Sequence, residues 1–260
     1  MVDILVDYSL LTEIPGSKAS NEQLRRMLTR YYFGSQLCEG KSVLEVACGA
    51  GQGLNYLGRE ARFVIGGDYD CSLLNIARSQ YGKKIPLCRL DGHFLPFRDG
   101  VFDVVILFEA IYYLHEPDKF ISECKRILKF NGEVLICLPN SSLPDFHPSP
   151  YSYSYFTPPE ISKLFEKYEF DVACFGSTPV DTSTAKGKVL SLIKKMVVKF
   201  NLMPRTLKGR EFLKRLVFGS LVSIPGDVSD IPISHDTPVP ISCFENNYSY
   251  RVIFALAKSR

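Results

Sequence analysis

The sequence lacks any long apolar run: none of its stretches reaches the roughly 18 consecutive apolar residues that a membrane-spanning helix requires. Residues 1–11 carry two aspartates and have neither the basic start nor the small-residue cleavage site of a signal peptide. Hydrophobic residues make up 46% and charged residues 23% of the 260 positions, which excludes a disordered or fibrous protein. We therefore expect a folded, cytoplasmic protein.

Paired metal-ligand and disulfide motifs are also missing. The eight cysteines are widely spaced, contain no C-x-x-C pair and mostly stand among apolar neighbours. This distribution is typical of reduced cysteines that act as small hydrophobes. The four histidines show no ligand spacing, so the sequence predicts no metal site.

One glycine-rich loop, residues 48–53, follows an apolar strand at 42–47 and precedes a helix from about Leu54. No Gly-Lys-Ser/Thr follows it, which excludes a Walker A loop. The nicotinamide pattern fits Gly49 and Gly51, but its third glycine position holds Leu54. Taken alone, the loop indicates only a turn at which the backbone approaches a ligand closely.

Apolar strands alternate with helical segments over the rest of the chain, which predicts βαβ units and a parallel sheet. The predicted strands are 42–47, 62–67, 86–90, 101–107, 133–138, 170–175 and 250–257. Before the last of them stands a basic segment, 186–215, with a net charge of +9 in a chain whose total is +3. Its apolar residues recur at helical spacing, which predicts two amphipathic helices.

An ordered set of short motifs surrounds the glycine loop. It comprises Val43–Gly51, Gly67–Asp68, Leu90–Gly92, Leu95–Phe97, Phe102–Asp103, Glu123 with Arg126–Leu128, and Asn131–Gly132. Over about residues 25–140 this set resembles class I S-adenosylmethionine-dependent methyltransferases, most closely the type 11 group. The wider chain is similar to bacterial methyltransferases of surface glycans. The resemblance implies a Rossmann-like, doubly wound, mostly parallel seven-stranded sheet with an antiparallel last strand and a helical insertion before it.

The resemblance also implies roles for residues that bind the cofactor S-adenosyl-L-methionine. It assigns the ribose to Asp68 at the end of the second strand, with Tyr69 as a further contact, and it places Phe108 near the sulfonium. The methionine end and the adenine are assigned to two further groups. These are Glu45, Ala47, Gly49 and Gly51 for the methionine, and Asp91 and Gly92 for the adenine.

The acceptor is expected at the loop after the fifth strand, residues 139–156, because open α/β sheets bind ligands at this edge. His147 is the first candidate for a general base, and Asp145 and Glu109 compete with it. The predicted substrate wall consists of Tyr112, Tyr151, Tyr153 and Tyr155. The alternative is a proline-stiffened connector whose tyrosines pack on the core.

Some relatives carry Glu-x-x-Glu-His after the fourth strand and bind a metal there. Here the last two positions are Tyr112 and Tyr113, so metal-independent catalysis is predicted. We expect a methyltransferase domain at 1–180 and 245–260, and a basic, Pro-rich insertion at 181–244. That insertion is interpreted either as a lid or as a surface that also contacts an anionic membrane or a lipid-linked substrate.

The expected reaction is methyl transfer to a small-molecule or glycan acceptor, at a hydroxyl. A polyketide, quinone or lipid-like acceptor is the alternative within the fold, and a catalytically inactive S-adenosylmethionine-binding module is another. A nicotinamide-dependent oxidoreductase is disfavoured by Leu54. Nucleic acid is not expected as substrate, because no Asn/Asp-Pro-Pro-Tyr motif follows the fourth strand.

Overall fold

The computed structural model describes residues 12–180 and 221–260. Its strands are β1 Lys18–Ser20, β2 Ser42–Val46, β3 Phe63–Asp68, β4 Leu87–Arg89, β5 Phe102–Phe108, β6 Leu128–Pro139, β7 Phe170–Pro179, β8 Leu221–Ser223, β9 Val239–Ile241 and β10 Tyr250–Ser259. Its α-helices are α1 Asn21–Ser35, α2 Leu54–Gly58, α3 Cys71–Tyr81, α4 Pro117–Ile127 and α5 Pro158–Glu166.

The main sheet has eight strands in the order β4-β3-β2-β5-β6-β10-β7-β9. The pairs among β2 to β6 are parallel, and β10 is inserted antiparallel between β6 and β7. This confirms the predicted Rossmann-like, mostly parallel sheet. The eighth strand, β9, was not predicted, because it is three residues long and carries Pro240, which is tolerated at a sheet edge.

Helices cover both faces of the sheet, as the apolar strands require. β2 is buried along its whole length, and β5 is buried at all but one residue. On one face the core joins the sheet to Phe120 of α4 and Phe165 of α5. On the other face it joins the sheet to Leu24 and Met27 of α1 and Leu57 of α2. The carboxyl ends of β2, β3 and β5 are left open between these layers.

The helix α1 begins at a complete capping box. The Ser20 hydroxyl accepts from the backbone N–H of Gln23, and the Gln23 side chain accepts from the backbone N–H of Ser20. Ser20 also ends β1, which pairs antiparallel with β8. The segment that leads into α1 is thereby paired with residues 221–223.

The predicted basic segment 186–215 lies outside the described residues. Residues 221–244 pack on the domain: His235 stacks on Tyr32 at 3.6 Å between ring centroids, and Val228 is fully buried. The Asp236 N–H donates to the Thr29 hydroxyl of α1 at 2.9 Å. The division at residue 181 stays a prediction. Among the described helices, none is long and apolar enough to cross a bilayer.

Candidate functional site

A cleft of about 730 Å³ opens where the carboxyl ends of β2, β3 and β5 meet α1. Small-molecule sites have volumes of roughly 300–1,000 Å³ and occur at this edge of open α/β sheets. Of the predicted cofactor residues, most border the cleft. They are Ala47, Gly49, Asp68, Tyr69, Asp91, Gly92 and Phe108.

The glycine loop forms one wall of the cleft with its backbone. Ala47, Gly49 and Gly51 all have left-handed φ angles, of +56°, +58° and +80°. Glycine adopts this region freely, whereas the strain at Ala47 costs about 1–2 kcal/mol. A Cβ atom at Gly49 would lie 3.0 Å from the Thr12 side chain, so a larger residue there would require Thr12 to shift. The sharp turn lets a ligand approach the main chain.

Asp68 ends β3 with a buried carboxylate that borders the cleft. Its Oδ2 accepts from the Gly49 N–H and its Oδ1 accepts from the Asp70 N–H, both at 2.8 Å. Burial raises the pKa of this carboxyl above its ordinary value, against the lowering effect of the two backbone hydrogen bonds. Each carboxylate oxygen has further lone pairs, so Asp68 retains acceptors for hydroxyl groups in the cleft.

Glu45 lies near the carboxyl end of β2, is almost completely buried and does not border the cleft. Its Oε1 accepts from the Tyr31 hydroxyl at 2.7 Å, and its Oε2 has no hydrogen-bond partner among the described residues. Burial raises the pKa of Glu45 to about 8, although the Tyr31 hydrogen bond and the charge of Arg30 lower it. At neutral pH the carboxyl is therefore mainly protonated.

Tyr31 is held in place by close packing on both sides. Its ring meets Phe108 edge to face at 5.2 Å between centroids. A Cβ atom built at Gly53 would lie 1.8 Å from the same ring, so only glycine fits there. The Tyr31 ring is buried and also borders the cleft.

The raised pKa of Glu45 predicts a specific dependence of stability on pH. A carboxyl whose pKa is higher in the folded state stabilises the fold fully below its unfolded pKa of about 4.3 and loses this contribution as pH rises through about 8. Glu45→Gln mimics the protonated acid. We expect its free energy of unfolding, relative to wild type, to rise by about 1.4 kcal/mol per pH unit across this window. Urea unfolding at pH 5, 6, 7 and 8 measures the difference, and a difference that is independent of pH would contradict the assignment.

The adenine end of the predicted site contains a histidine that the sequence did not single out. The His93 Nδ1 lies 2.6 Å from the Asp91 Oδ1, and its Nε2 accepts from the Glu116 N–H at 3.2 Å. This pattern assigns the proton of the neutral ring to Nδ1. The contact between His93 and Asp91, two residues apart, fixes the orientation of the Asp91 carboxylate. The sequence pattern Asp91-x-His93 could have indicated this contact.

The three candidates for a general base lie in different places relative to the cleft. Glu109 follows β5 in the cleft with a left-handed φ of +54°, and its Oε2 accepts from the Tyr112 hydroxyl at 3.0 Å. Burial raises the pKa of Glu109, opposed by the charge of Arg30. His147 is exposed and does not border the cleft, and Asp145 forms an ion pair with Arg251 at 3.1 Å. The structure brings only Glu109 to the cleft.

The predicted substrate tyrosines divide in the same way. Tyr112 and Tyr153 border the cleft, and the Tyr153 N–H donates to the Tyr112 carbonyl at 2.9 Å. Tyr155 stacks behind Tyr112 at 4.7 Å between centroids, and Tyr151 is half exposed outside the cleft. The loop is thus partly a packed connector and partly a wall of the cleft.

We did not predict the contribution of three polar residues of α1 to the cleft. Gln23, Arg26 and Arg30 all border it. Their spacing of three and four residues puts them on one helical face, which is the indication that could have found them. In the described part of the chain, no three potential ligands gather into a metal site.

Comparison with known proteins places this geometry in context. Residues 44–136 match the family described as a methyltransferase domain. A probable S-adenosylmethionine-dependent methyltransferase of Mycolicibacterium smegmatis is 32% identical over 163 residues, covering 61% of this chain and 63% of that protein. A fatty-acid O-methyltransferase of the same organism is 31% identical and covers 45% of each chain. The chain thus spans less than two thirds of these relatives' length.

Solved structures share the fold. The putative methyltransferase in a complex with the Haloferax volcanii Trm112 methyltransferase activator superposes with a TM-score of 0.58. It is 16% identical in sequence and the match covers 92% of each chain. At this identity the likeness concerns the fold alone.

Proposed function

The chain carries a class I S-adenosylmethionine-dependent methyltransferase domain, and from this premise we propose that it methylates a hydroxyl group of a small-molecule or glycan acceptor. One observation carries the proposal. The Asp68 carboxylate at the end of β3 borders the same cleft as the glycine loop and Glu109. The carboxylate proposed to bind the ribose, a wall formed by the backbone of the glycine loop and a candidate base therefore border one cleft. Its volume of about 730 Å³ is large enough for the cofactor and a small methyl acceptor.

The residues present fit S-adenosylmethionine. Asp68 retains lone pairs for two ribose hydroxyls, and Gly49 presents backbone with no side chain of its own to the cleft. Behind this wall, Glu45 is adjacent in sequence to the cleft residues Val46 and Ala47, and its Oε2 is a buried polar atom with no partner within the described protein. When bound, the cofactor supplies an electrophilic methyl group on a sulfonium.

The protein's own part in the reaction is alignment, exclusion of water and proton transfer. Phe108 and Tyr112 are buried side chains that border the cleft, and in this proposal they orient a methyl acceptor between β5 and the loop 139–156. Such alignment lowers the activation free energy, because the entropy cost of bringing the two reactants together is met when they bind. A hydroxyl nucleophile must lose its proton as it attacks, and Glu109 is the cleft carboxyl that accepts it in this proposal. The buried setting and raised pKa of Glu109 bring its basicity closer to neutral pH.

A lipid-like or quinone acceptor is the second candidate. Its support is the apolar character of the wall, in which Leu107, Phe108 and Leu114 face the cleft, with the half-exposed Tyr69 at its rim. The fatty-acid O-methyltransferase among the relatives points the same way. Contact between the basic segment 186–215 and an anionic membrane would suit such an acceptor, and it stays a prediction from the sequence.

Two measurements test the proposal. Calorimetry with S-adenosylhomocysteine is expected to give one site per chain. Mass spectrometry of reactions with labelled S-adenosylmethionine, sugars, phenols, quinols and fatty acids is then expected to detect one acceptor class that gains a methyl group. Binding without transfer to any acceptor would favour the inactive module, and absence of binding would contradict the proposal.

Methyl transfer is expected to be independent of metal. Tyr112 and Tyr113 stand where metal-using relatives carry an acid and a histidine, and Tyr112 donates its hydroxyl to Glu109. We expect turnover to be unchanged after dialysis against EDTA. Activity that disappears with EDTA and returns with Mg²⁺ would refute this expectation.

A further inference from the structure

The carboxyl group of Glu109 has a hydrogen-bond donor of the protein on each of its two oxygens. Its Oε2 accepts from the Tyr112 hydroxyl at 3.0 Å, and its Oε1 accepts from the Cys137 thiol, with 3.8 Å between sulfur and oxygen. Tyr112 follows Glu109 by three residues, whereas Cys137 belongs to β6, 28 residues further along the chain. Two separate parts of the fold therefore converge on one carboxyl group.

The main chain of Glu109 is fixed by the same residue of β6. The Glu109 N–H donates to the Cys137 carbonyl at 2.8 Å, directly after the pairing of Phe108 with Cys137 between β5 and β6. Glu109 has a left-handed φ of +54°, a region that residues other than glycine seldom adopt. Such backbone strain persists only where the surrounding structure enforces it, and it is concentrated at functional sites. Cys137 supplies two of the contacts that enforce it here.

The Tyr112 hydroxyl and the Cys137 thiol both keep their protons near neutral pH. Both side chains are buried, and this burial raises the pKa of each well above its ordinary value, with a further increase from the charge of Glu109. A donor that stays protonated forms a stronger hydrogen bond with an ionised carboxylate than with a neutral acid. The two donors therefore favour the ionised form of Glu109.

The other groups around Glu109 act on its charge without a hydrogen bond among the described residues. Burial has the largest effect and raises the pKa of Glu109, the charge of Arg30 lowers it, and Glu13 raises it. The charged and titratable groups that face Glu109 come from α1, the segment before it, the turn after β5, and β6. They are Arg26, Arg30, Glu13, Tyr112, Tyr113 and Cys137. Of these, only the two donors contact the carboxyl oxygens and can fix their direction.

We propose that Tyr112 and Cys137 are positioning residues for the cleft carboxylate: they hold the ionised Glu109 in the orientation in which it borders the cleft. The inference rests on the proposed function, in which Glu109 is the base. Each carboxyl oxygen keeps a further lone pair, on which it can take the proton of an acceptor hydroxyl. The competing explanation is packing, in which Tyr112 and Cys137 only fill the core around the turn.

Two single substitutions remove one donor each. Tyr112→Phe deletes only the hydroxyl, and Cys137→Ala deletes only the sulfur and leaves the carbonyl that accepts from Glu109. Cys137→Ser restores a donor on a shorter side chain. Tyr168→Phe and Cys124→Ala are the matched controls, because they delete the same atoms from residues that pack in the core and do not border the cleft. Thermal unfolding establishes that each variant is folded.

The first arm follows the ionisation of Glu109 without cofactor or acceptor. Carbon-13 NMR of protein labelled at the glutamate carboxyls identifies Glu109 by the signal that is missing in Glu109→Gln. We expect its titration midpoint to rise by about 0.3–1 pH unit in Tyr112→Phe and in Cys137→Ala, because the ionised form loses a hydrogen bond. Cys137→Ser should titrate closer to wild type, and both controls should match wild type.

The second arm is the pH profile of kcat, measured with the acceptor class that mass spectrometry detects. In both donor variants the rise of kcat should move to higher pH by the same amount as the NMR midpoint. An unchanged or lowered midpoint in both variants would show that the two residues only pack, and the inference would be overturned. A shift in one variant alone removes the other residue from the role.

Failure of the proposed function gives a different result. Glu109→Gln would then keep full activity, or no acceptor would gain a methyl group, while the NMR midpoints would still respond to Tyr112→Phe and Cys137→Ala. That outcome contradicts Glu109 as the base but supports the hold of the two donors on its carboxylate.

Discussion

Replacing Asp68 by alanine is expected to lower the affinity for S-adenosylmethionine and S-adenosylhomocysteine by roughly 10²–10⁴, as measured by calorimetry. Two charge-assisted hydrogen bonds to ribose hydroxyls are lost, each worth about 1.5–3 kcal/mol. The substitution also removes the acceptor of the Gly49 and Asp70 N–H groups, which loosens the glycine loop. Both effects act on the same bound ligand, so the loss should be large.

Two further variants separate ribose binding from support of the loop. Asp68→Asn keeps an acceptor at the end of β3 but not the charge, so we expect an intermediate loss. Asp70→Ala removes the side chain that caps α3, whose carboxylate accepts from the Ser72 N–H at 2.7 Å. Asp70 does not border the cleft. The substitution should lower the free energy of unfolding by about 1 kcal/mol and leave affinity unchanged. Wild-type affinity in Asp68→Ala would remove this residue from the ribose role.

Replacing Glu109 by glutamine is expected to lower kcat by roughly 10²–10⁴ with an acceptor that reacts at a hydroxyl. The amide retains an acceptor for the Tyr112 hydroxyl but cannot take a proton. Affinity for S-adenosylhomocysteine should be unchanged. The pH profile provides a second test: wild-type kcat should rise through an ionisation above the ordinary glutamate range, because burial raises the pKa of this carboxyl, and the variant should lose that step.

His147→Ala and Asp145→Asn are the matched controls for this assignment. Both residues lie in the loop that the sequence favoured, but neither borders the cleft. We expect each to keep kcat close to wild type, with Asp145→Asn losing some thermal stability through its Arg251 ion pair. A large loss of kcat in His147→Ala, together with full activity of Glu109→Gln, would reverse the roles.

Local patterns were sufficient for the sheet. Strands buried on both faces appear in the sequence as nearly continuous apolar runs, and β2 and β5 follow this pattern apart from Ser42, Glu45 and Asp103. The position of Asp68 followed equally well, because a strand end next to a glycine loop is defined by residues close in sequence. β1, β8 and β9 escaped prediction, since each is three residues long and depends on a partner distant in the chain.

The sequence alone determined the alternating strands and helices of a parallel sheet, the glycine turn and the residues at the strand ends that border the cleft. These features rest on hydrophobic periodicity and on φ angles that glycine adopts freely, which are local properties. Only the tertiary structure decided that Glu109 lies in the cleft while His147 lies outside it. It also decided that α1 turns Arg26 and Arg30 inward. The direction of a helical face and the path of a loop depend on what packs against them, and a single sequence does not specify these contacts.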